Sequence, residues 1–169
     1  MDIKPFPNKQ AIRLKKYDYN SPGTYFITIC TKNRKNLLSE IRVGTGVLDR
    51  PQNELTSLGK IADKQLSFMS HFYDNISVDK YVIMPNHIHL LLTIKKSTDG
   101  RSRTPVPTNS LVSNFIGTFK RFCNKKYGCN IWQERSYDHI IRNQEDYNEK
   151  WEYIDGNPLK WETDEHFQR

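Results

Sequence analysis

The sequence predicts an α+β fold, because segments with the two-residue period of a strand alternate with segments that have the 3.6-residue period of a helix. Residues 24–31 and 87–95 have the strand period, and residues 57–71 between them have a helical stripe of apolar side chains. With 169 residues, the chain has the length of a single domain, which we expect to span residues 1–169.

The first half of the chain is expected to supply three strands and one helix. In residues 24–31, Tyr25, Ile27 and Ile29 lie on one face and polar or smaller residues on the other. Turn-forming residues then indicate an irregular excursion over residues 33–55 with room for a short hairpin. The remaining elements are a helix at about 57–71 and a hairpin of strands at about 77–84 and 87–95, joined by Pro85 and Asn86.

The second half begins with a polar segment, residues 95–109, whose composition is typical of a mobile loop. Asn109 or Ser110 can then cap a helix that ends at Gly128. A fourth strand is predicted in residues 136–142 and a last helix at about 144–155. This βαββαβ order predicts a ferredoxin-like antiparallel sheet with helices packed mainly on one face and an extra C-terminal helix.

The charge of the chain favours a polyanionic partner, with nucleic acid first and a membrane surface second. The formal net charge is +7, and residues 1–16 carry five basic residues against one acidic residue. No apolar run is long enough to span a membrane, and the N-terminus lacks the apolar core of a signal peptide. We therefore expect a soluble cytoplasmic protein. Its three cysteines form no C-x-x-C pair, so neither a disulfide framework nor a cysteine zinc site is indicated.

Two histidines stand one residue apart in an apolar strand, directly after Pro85 and Asn86. Because side chains alternate in a strand, His87 and His89 share one face while the apolar row that begins at Ile88 forms the other. In a strand, the backbone atoms of residues i and i+2 are about 6.6 Å apart, and from this separation two imidazole side chains can both reach one divalent ion. The alternative is a pair of histidines on a partly solvent-exposed face of the strand, with no ligand.

The segment Met84-Pro85-Asn86-His87-Ile88-His89-Leu90-Leu91-Leu92 resembles the HUH signature of single-tyrosine transposases, including the REP-associated tyrosine transposases. Four further segments resemble segments of the same family in the same order, and they begin at Arg13, Gly23, Trp132 and Tyr153. The likeness therefore covers roughly residues 10–162, which we expect to be the core of the domain. The resemblance implies Mg²⁺ or Mn²⁺ held by the two histidines and a further polar ligand. It also implies a tyrosine that forms a 5′-phosphotyrosine bond with DNA.

The nucleophile departs from the family pattern, because Phe119 stands where the resemblance places the tyrosine. On a helical wheel, Lys120, Asn124 and Tyr127 fall together on a polar face. Asn124 is therefore the expected third metal ligand, and Tyr127 the expected nucleophile, displaced toward the helix end. Tyr137 is the second choice. The alternative for Tyr127 is a partly exposed tyrosine at the end of a helix with no catalytic role.

Basic and aromatic side chains outside the histidine strand supply the expected DNA contacts. Basic groups meet phosphates, and an aromatic ring such as that of Trp132 can stack on an unpaired base or can instead belong to the core. The predicted contacts are Arg13, Lys15, Lys16, Asn86, Lys120, Arg121, Lys125, Trp132, Arg135 and Arg142.

These expectations define a metal-dependent endonuclease and transposase that acts on single-stranded or REP-like hairpin DNA in the bacterial cytoplasm, associated with the nucleoid, as a monomer or homodimer. The alternative is a DNA-binding relative that lost cleavage because of Phe119. An RNA phosphodiesterase with two histidine motifs is disfavoured, since such enzymes rely on paired H-x-T/S repeats, whereas His89 is followed by Leu90 and Leu91 and has no second copy.

Overall fold

A computed structural model describes residues 17–42, 51–96 and 110–167. The strands are β1 (Gly23–Cys30), β2 (Ser39–Arg42), β3 (Gln52–Leu55), β4 (Ile76–Ile83), β5 (His87–Ile94) and β6 (Tyr137–Ile140). The helices are α1 (Ser57–Phe72), α2 (Leu111–Tyr127) and α3 (Gln144–Gly156), with 3₁₀ segments at Lys32–Arg34 and Asn157–Thr163. Among the described residues, no helix is long and apolar enough to cross a membrane.

The main sheet has four antiparallel strands in the order β4-β5-β1-β6, and β2 and β3 form a separate two-stranded hairpin. The α+β class is confirmed, and β1, α1, β4, β5, α2 and β6 follow the predicted βαββαβ order. The two central strands, β1 and β5, are paired along their whole length, from Gly23 opposite Ile94 to Cys30 opposite His87.

The sheet has helices on both faces, although two of the three lie on one face. Helices α1 and α2 cover the face that carries Ile27 and Leu90, and their apolar side chains form the main core with it. Helix α3 covers the opposite face, where Ile154 packs with Phe26 and Leu91 in a smaller cluster. The predicted C-terminal helix therefore covers the face of the sheet on which His87 and His89 lie.

Helix ends agree with the predicted capping residues. The Ser110 side chain accepts a hydrogen bond from the Ser113 backbone N–H at 3.2 Å, and Gly128 ends α2 in the left-handed conformation with φ of 77°. The basic residues Arg13, Lys15 and Lys16 lie outside the described residues, as does the predicted mobile loop from residue 97 onward.

Gly59, in the first turn of α1, has no room for a side chain. A methyl group there would collide with the backbone carbonyl of Leu38, and that carbonyl is held by the Thr56 N–H and hydroxyl, each at 3.0 Å. We expect Gly59→Ala to lower the free energy of unfolding in urea by about 1–3 kcal/mol, the usual cost of overpacking.

Gly117 is the matched control, because it lies within α2 and a methyl group there would meet nothing within 4 Å. Gly117→Ala is expected to raise the free energy of unfolding by about 0.5–1 kcal/mol through the higher helix propensity of alanine. An unchanged or higher stability of Gly59→Ala would contradict the close approach of α1 to Leu38.

Candidate functional site

His87 and His89 project side by side from β5. Their ring centroids are 4.4 Å apart, and the two residues are 0% and 1% exposed. The predicted common orientation is confirmed, and its cause is the two-residue period of the strand, which sends Ile88 and Leu90 into the main core on the other face. The pair is buried rather than partly exposed to solvent, because α3 and the C-terminal segment cover it.

Hydrogen bonds from neighbouring elements set the rotation of both rings. A 2.8 Å bond joins His87 Nδ1 to Asn86 Oδ1, and another of 2.8 Å joins His89 Nδ1 to Thr28 Oγ1. Thr28 lies directly opposite His89 in the β1–β5 pairing. Both imidazoles are thus oriented by residues that the sheet itself places next to them.

Asn86 is a positioning residue of this site. It is fully buried, and its amide nitrogen donates to the backbone oxygens of Arg34 at 3.1 Å and His166 at 2.7 Å. Since all three hydrogen bonds are made within the protein, the structure contradicts the predicted contact between Asn86 and DNA. Asn86, in the turn that joins β4 to β5, instead orients the His87 ring and holds the backbone of the C-terminal segment at His166.

Asp164 completes a group of three possible metal ligands. One ligand atom from each of His87, His89 and Asp164 lies within 4.8 Å of the others. Asp164 follows the 3₁₀ segment Asn157–Thr163, and its Oδ1 accepts the backbone N–H of His166 at 2.6 Å. Burial raises the pKa of this carboxyl group, as expected for a carboxylate taken out of water.

The donor set fits a divalent ion. Two imidazole nitrogens and one carboxylate oxygen are ligands that proteins use for divalent cations, with positions left for water or substrate. The three residues come from β5 and from the segment after α3, so the site depends on the packing of the chain's C-terminal part against the sheet.

Asn124 does not join this group, contrary to the predicted ligand role. Its side chain donates to Asn130 Oδ1 at 3.1 Å and accepts the backbone N–H of Ile131 at 3.4 Å. It belongs to α2, which packs on the sheet face opposite the histidines. A helical wheel shows which residues share one side of a helix, but it does not show which face of the sheet the helix covers.

Tyr127 and Phe119 lie on that same opposite face. The Tyr127 hydroxyl donates to the backbone oxygen of Leu58 at 2.9 Å, and burial raises its pKa. Phe119 is fully buried, with its ring centroid 5.5 Å from that of Trp132. The geometry is therefore contrary to a nucleophilic role for Tyr127, which instead ties α2 to α1.

Two predicted DNA contacts have other partners. Trp132 is 2% exposed and packs in the main core, which contradicts base stacking. The Lys120 ammonium donates to the backbone oxygens of Gln133 at 2.8 Å and Glu134 at 3.2 Å, and burial lowers its pKa to about 8. The exposed side chains among the described predictions are Arg121, Lys125, Arg135 and Arg142, whose DNA contacts stay predictions.

Two further residues contact the group although the sequence patterns did not indicate them. The ring centroid of Tyr153 lies 5.2 Å from that of His89, and its hydroxyl donates to Asp164 Oδ2 at 3.4 Å. The ring centroid of His166 lies 4.6 Å from that of His87. Asp164, Glu165 and His166 are a run of metal-ligating residue types, but no spacing rule links such a run to a distant strand.

Comparisons with known proteins agree with this architecture. A protein of uncharacterised function from Haemophilus influenzae is 31% identical over 173 residues, covering 94% of this chain and 92% of that protein. A REP-associated tyrosine transposase from Escherichia coli is 27% identical over 148 residues, covering 84% of this chain and 70% of that protein. No family model matches the sequence.

A solved structure of a REP-associated tyrosine transposase bound to a REP hairpin shares the fold. Its TM-score is 0.60 with 23% sequence identity, and the match covers 88% of this chain and 73% of that one. The chain therefore belongs to the family of REP-associated, IS200-like tyrosine transposases.

Proposed function

We propose that this protein is a metal-dependent DNA endonuclease and transposase that cuts and rejoins single-stranded or hairpin DNA through a 5′-phosphotyrosine intermediate. The observation that carries the proposal is the group formed by His87, His89 and Asp164, whose ligand atoms lie within 4.8 Å of one another. A REP-associated tyrosine transposase among its relatives, and a structural neighbour that holds a REP hairpin, support DNA as the substrate.

Nε2 of both histidines and the Asp164 carboxylate would hold Mg²⁺ or Mn²⁺. The Asn86 amide nitrogen donates to two backbone oxygens, so its Oδ1 accepts and His87 Nδ1 carries the proton. Thr28 Oγ1, at 2.8 Å from His89 Nδ1, is a hydroxyl oxygen that can accept a hydrogen bond from that nitrogen in the same way. Such acceptors on Nδ1 orient a metal-binding imidazole so that Nε2 points to the ion. When bound, the ion supplies charge neutralisation at the phosphate oxygens.

Exposed basic side chains supply the contacts to the DNA backbone. Arg135 and Arg142 flank β6, the strand at one edge of the main sheet, whereas Arg121 and Lys125 lie on α2, on the side of the sheet away from the histidines. Their positive charges are part of the net charge of +7. Phosphate contacts of this kind hold a nucleic acid in register without reading its sequence.

The metal group is tested by calorimetric titration of the full chain with Mn²⁺. His87→Ala, His89→Ala and Asp164→Ala are each expected to lower Mn²⁺ affinity at least about tenfold, because each removes a ligand. Glu162→Ala is the control, since it removes an exposed carboxylate two residues before Asp164. Wild-type affinity in the three ligand variants would remove the metal site, and circular dichroism would confirm that each variant is folded.

The DNA surface is tested by the salt dependence of hairpin binding. Arg135→Ala and Arg142→Ala are each expected to reduce the slope of log affinity against log salt concentration by about 0.9, the value for one lost phosphate contact. Lys64→Ala is the control, because this exposed lysine lies on α1, behind the opposite face of the sheet. Equal slopes for wild type and both arginine variants would contradict the proposed surface.

A further inference from the structure

The loop that follows β1 is strongly basic. Three of the four residues at positions 32–35 are lysine or arginine, and no acidic residue occurs between Gly23 and Ser39. Strand β1 ends at Cys30, which pairs with His87, so this loop begins at the end of the sheet that carries His87. None of its side chains is among the DNA contacts predicted from the sequence. A basic loop beside a group that would hold a metal ion is a candidate for binding phosphate.

Hydrogen bonds fasten this loop to the turn that orients His87. The Thr31 backbone N–H donates to the backbone oxygen of Asn86 at 2.9 Å. The Asn86 amide nitrogen in turn donates to the backbone oxygen of Arg34 at 3.1 Å, while its Oδ1 accepts from the His87 ring. The same buried asparagine therefore holds both the loop and the strand histidine, which fixes the loop relative to the metal group.

Two consecutive residues of the loop have a left-handed backbone conformation. The φ angles of Asn33 and Arg34 are 56° and 52°, and no other non-glycine residue in the described part of the chain has a positive φ. The conformation is closed by hydrogen bonds, from the Arg34 N–H to the Thr31 backbone oxygen at 3.0 Å and from the Thr31 hydroxyl to the Lys35 backbone oxygen at 2.8 Å. Such strain persists only where the surrounding contacts determine it, and it is concentrated at functional sites.

The three basic side chains of the loop have different surroundings. The Arg34 guanidinium donates from Nη1 to the backbone oxygen of Glu165 at 3.1 Å, next to the metal-binding residue Asp164. Lys32 and Lys35 are exposed, and neither ammonium forms a hydrogen bond or an ion pair with the residues that the structure describes. Arg34 thus serves the protein itself, whereas the two lysines offer their charges to an anion from solvent.

We infer that Lys32 and Lys35 bind phosphates of the single-stranded DNA that lies at the metal group, an inference that rests on the function proposed above. The proposed reaction takes place on unpaired DNA, so the phosphates next to the metal group belong to the single-stranded flank of a hairpin rather than to its stem. The lysines hold this strand in register and do not read its sequence.

The rigidity of the loop suits it to this role. Because its backbone is already fixed by Asn86 and by the bonds to Thr31, binding DNA does not require the loop to be ordered first. Each lysine then contributes a positive charge at a set distance from the ion, and the two charges add to that of the metal at the bound strand.

The test compares two DNA ligands on the full chain with Mn²⁺. One is a pool of labelled hairpins with randomised single-stranded flanks, and the other is the same hairpins with blunt ends. Affinity is measured by fluorescence anisotropy over a series of salt concentrations. The double variant Lys32→Gln with Lys35→Gln is expected to reduce the slope of log affinity against log salt by about 1.4 on flanked hairpins, because each contact to a single strand contributes about 0.7. Its slope on blunt hairpins should equal that of wild type.

Three controls accompany the double variant. Lys32→Arg with Lys35→Arg keeps both charges and should retain the wild-type slope on both DNA ligands. Lys64→Gln removes an exposed lysine of α1, behind the opposite face of the sheet, and should change neither slope. The Mn²⁺ affinity of the glutamine double variant, measured by calorimetry, should be no weaker than that of wild type, because the variant removes positive charge and no metal ligand.

The outcomes separate this inference from the function on which it rests. Equal slopes for wild type and the glutamine double variant on flanked hairpins would overturn the inference and leave the proposed function intact. An equal fall on flanked and blunt hairpins would overturn it as well, because the lysines would then contact the stem. A fall of the same size for Lys64→Gln would do so too, since the effect would come from net charge alone. If wild type binds neither DNA ligand, the proposed function itself fails, and this inference fails with it.

Discussion

The pairing of β5 with β1 is the constraint on which the site depends. It places Thr28 beside His89, and it turns Ile88 and Leu90 into the main core while the histidines face the other way. A shift of one residue in this register would send both imidazoles into the main core. Burial of Ile88 and Leu90 in the main core therefore fixes the register of β5, and that register fixes the face of the sheet on which His87 and His89 lie.

The second requirement is that the C-terminal part of the chain closes over this face. Helix α3 is attached to the sheet by Ile154 and by the ion pair between Lys80 and Asp155. The segment after it brings in Asp164, and the Asn86 side chain holds the backbone of His166. Since Asn86 also orients His87, one buried amide couples the strand ligand to the segment that carries the carboxylate ligand.

The division of the sheet into two faces also separates structural from chemical roles. The face covered by α1 and α2 holds large apolar side chains such as Phe119 and Trp132, and its tyrosine hydroxyls serve to join elements, as Tyr127 does with Leu58. The face covered by α3 holds imidazoles, a carboxylate and a phenol within contact of one another. The face covered by α3 is the better binding surface for a charged substrate, because the polar groups on this face can compensate the charges of a phosphate and a metal ion.

Local sequence patterns determined the strands, the three helices, their order and the common orientation of His87 and His89. Each depends on a period of two or 3.6 residues, or on a cap such as Ser110 or Gly128, and such signals act over a few residues. The helical wheel likewise grouped Asn124 with Tyr127, but a wheel carries no information about which sheet face a helix covers.

Only the tertiary structure decided that α2 lies behind the histidines and that Tyr153 and Asp164 lie beside them. These contacts join segments far apart in the chain, and long-range packing, rather than any local period, sets them.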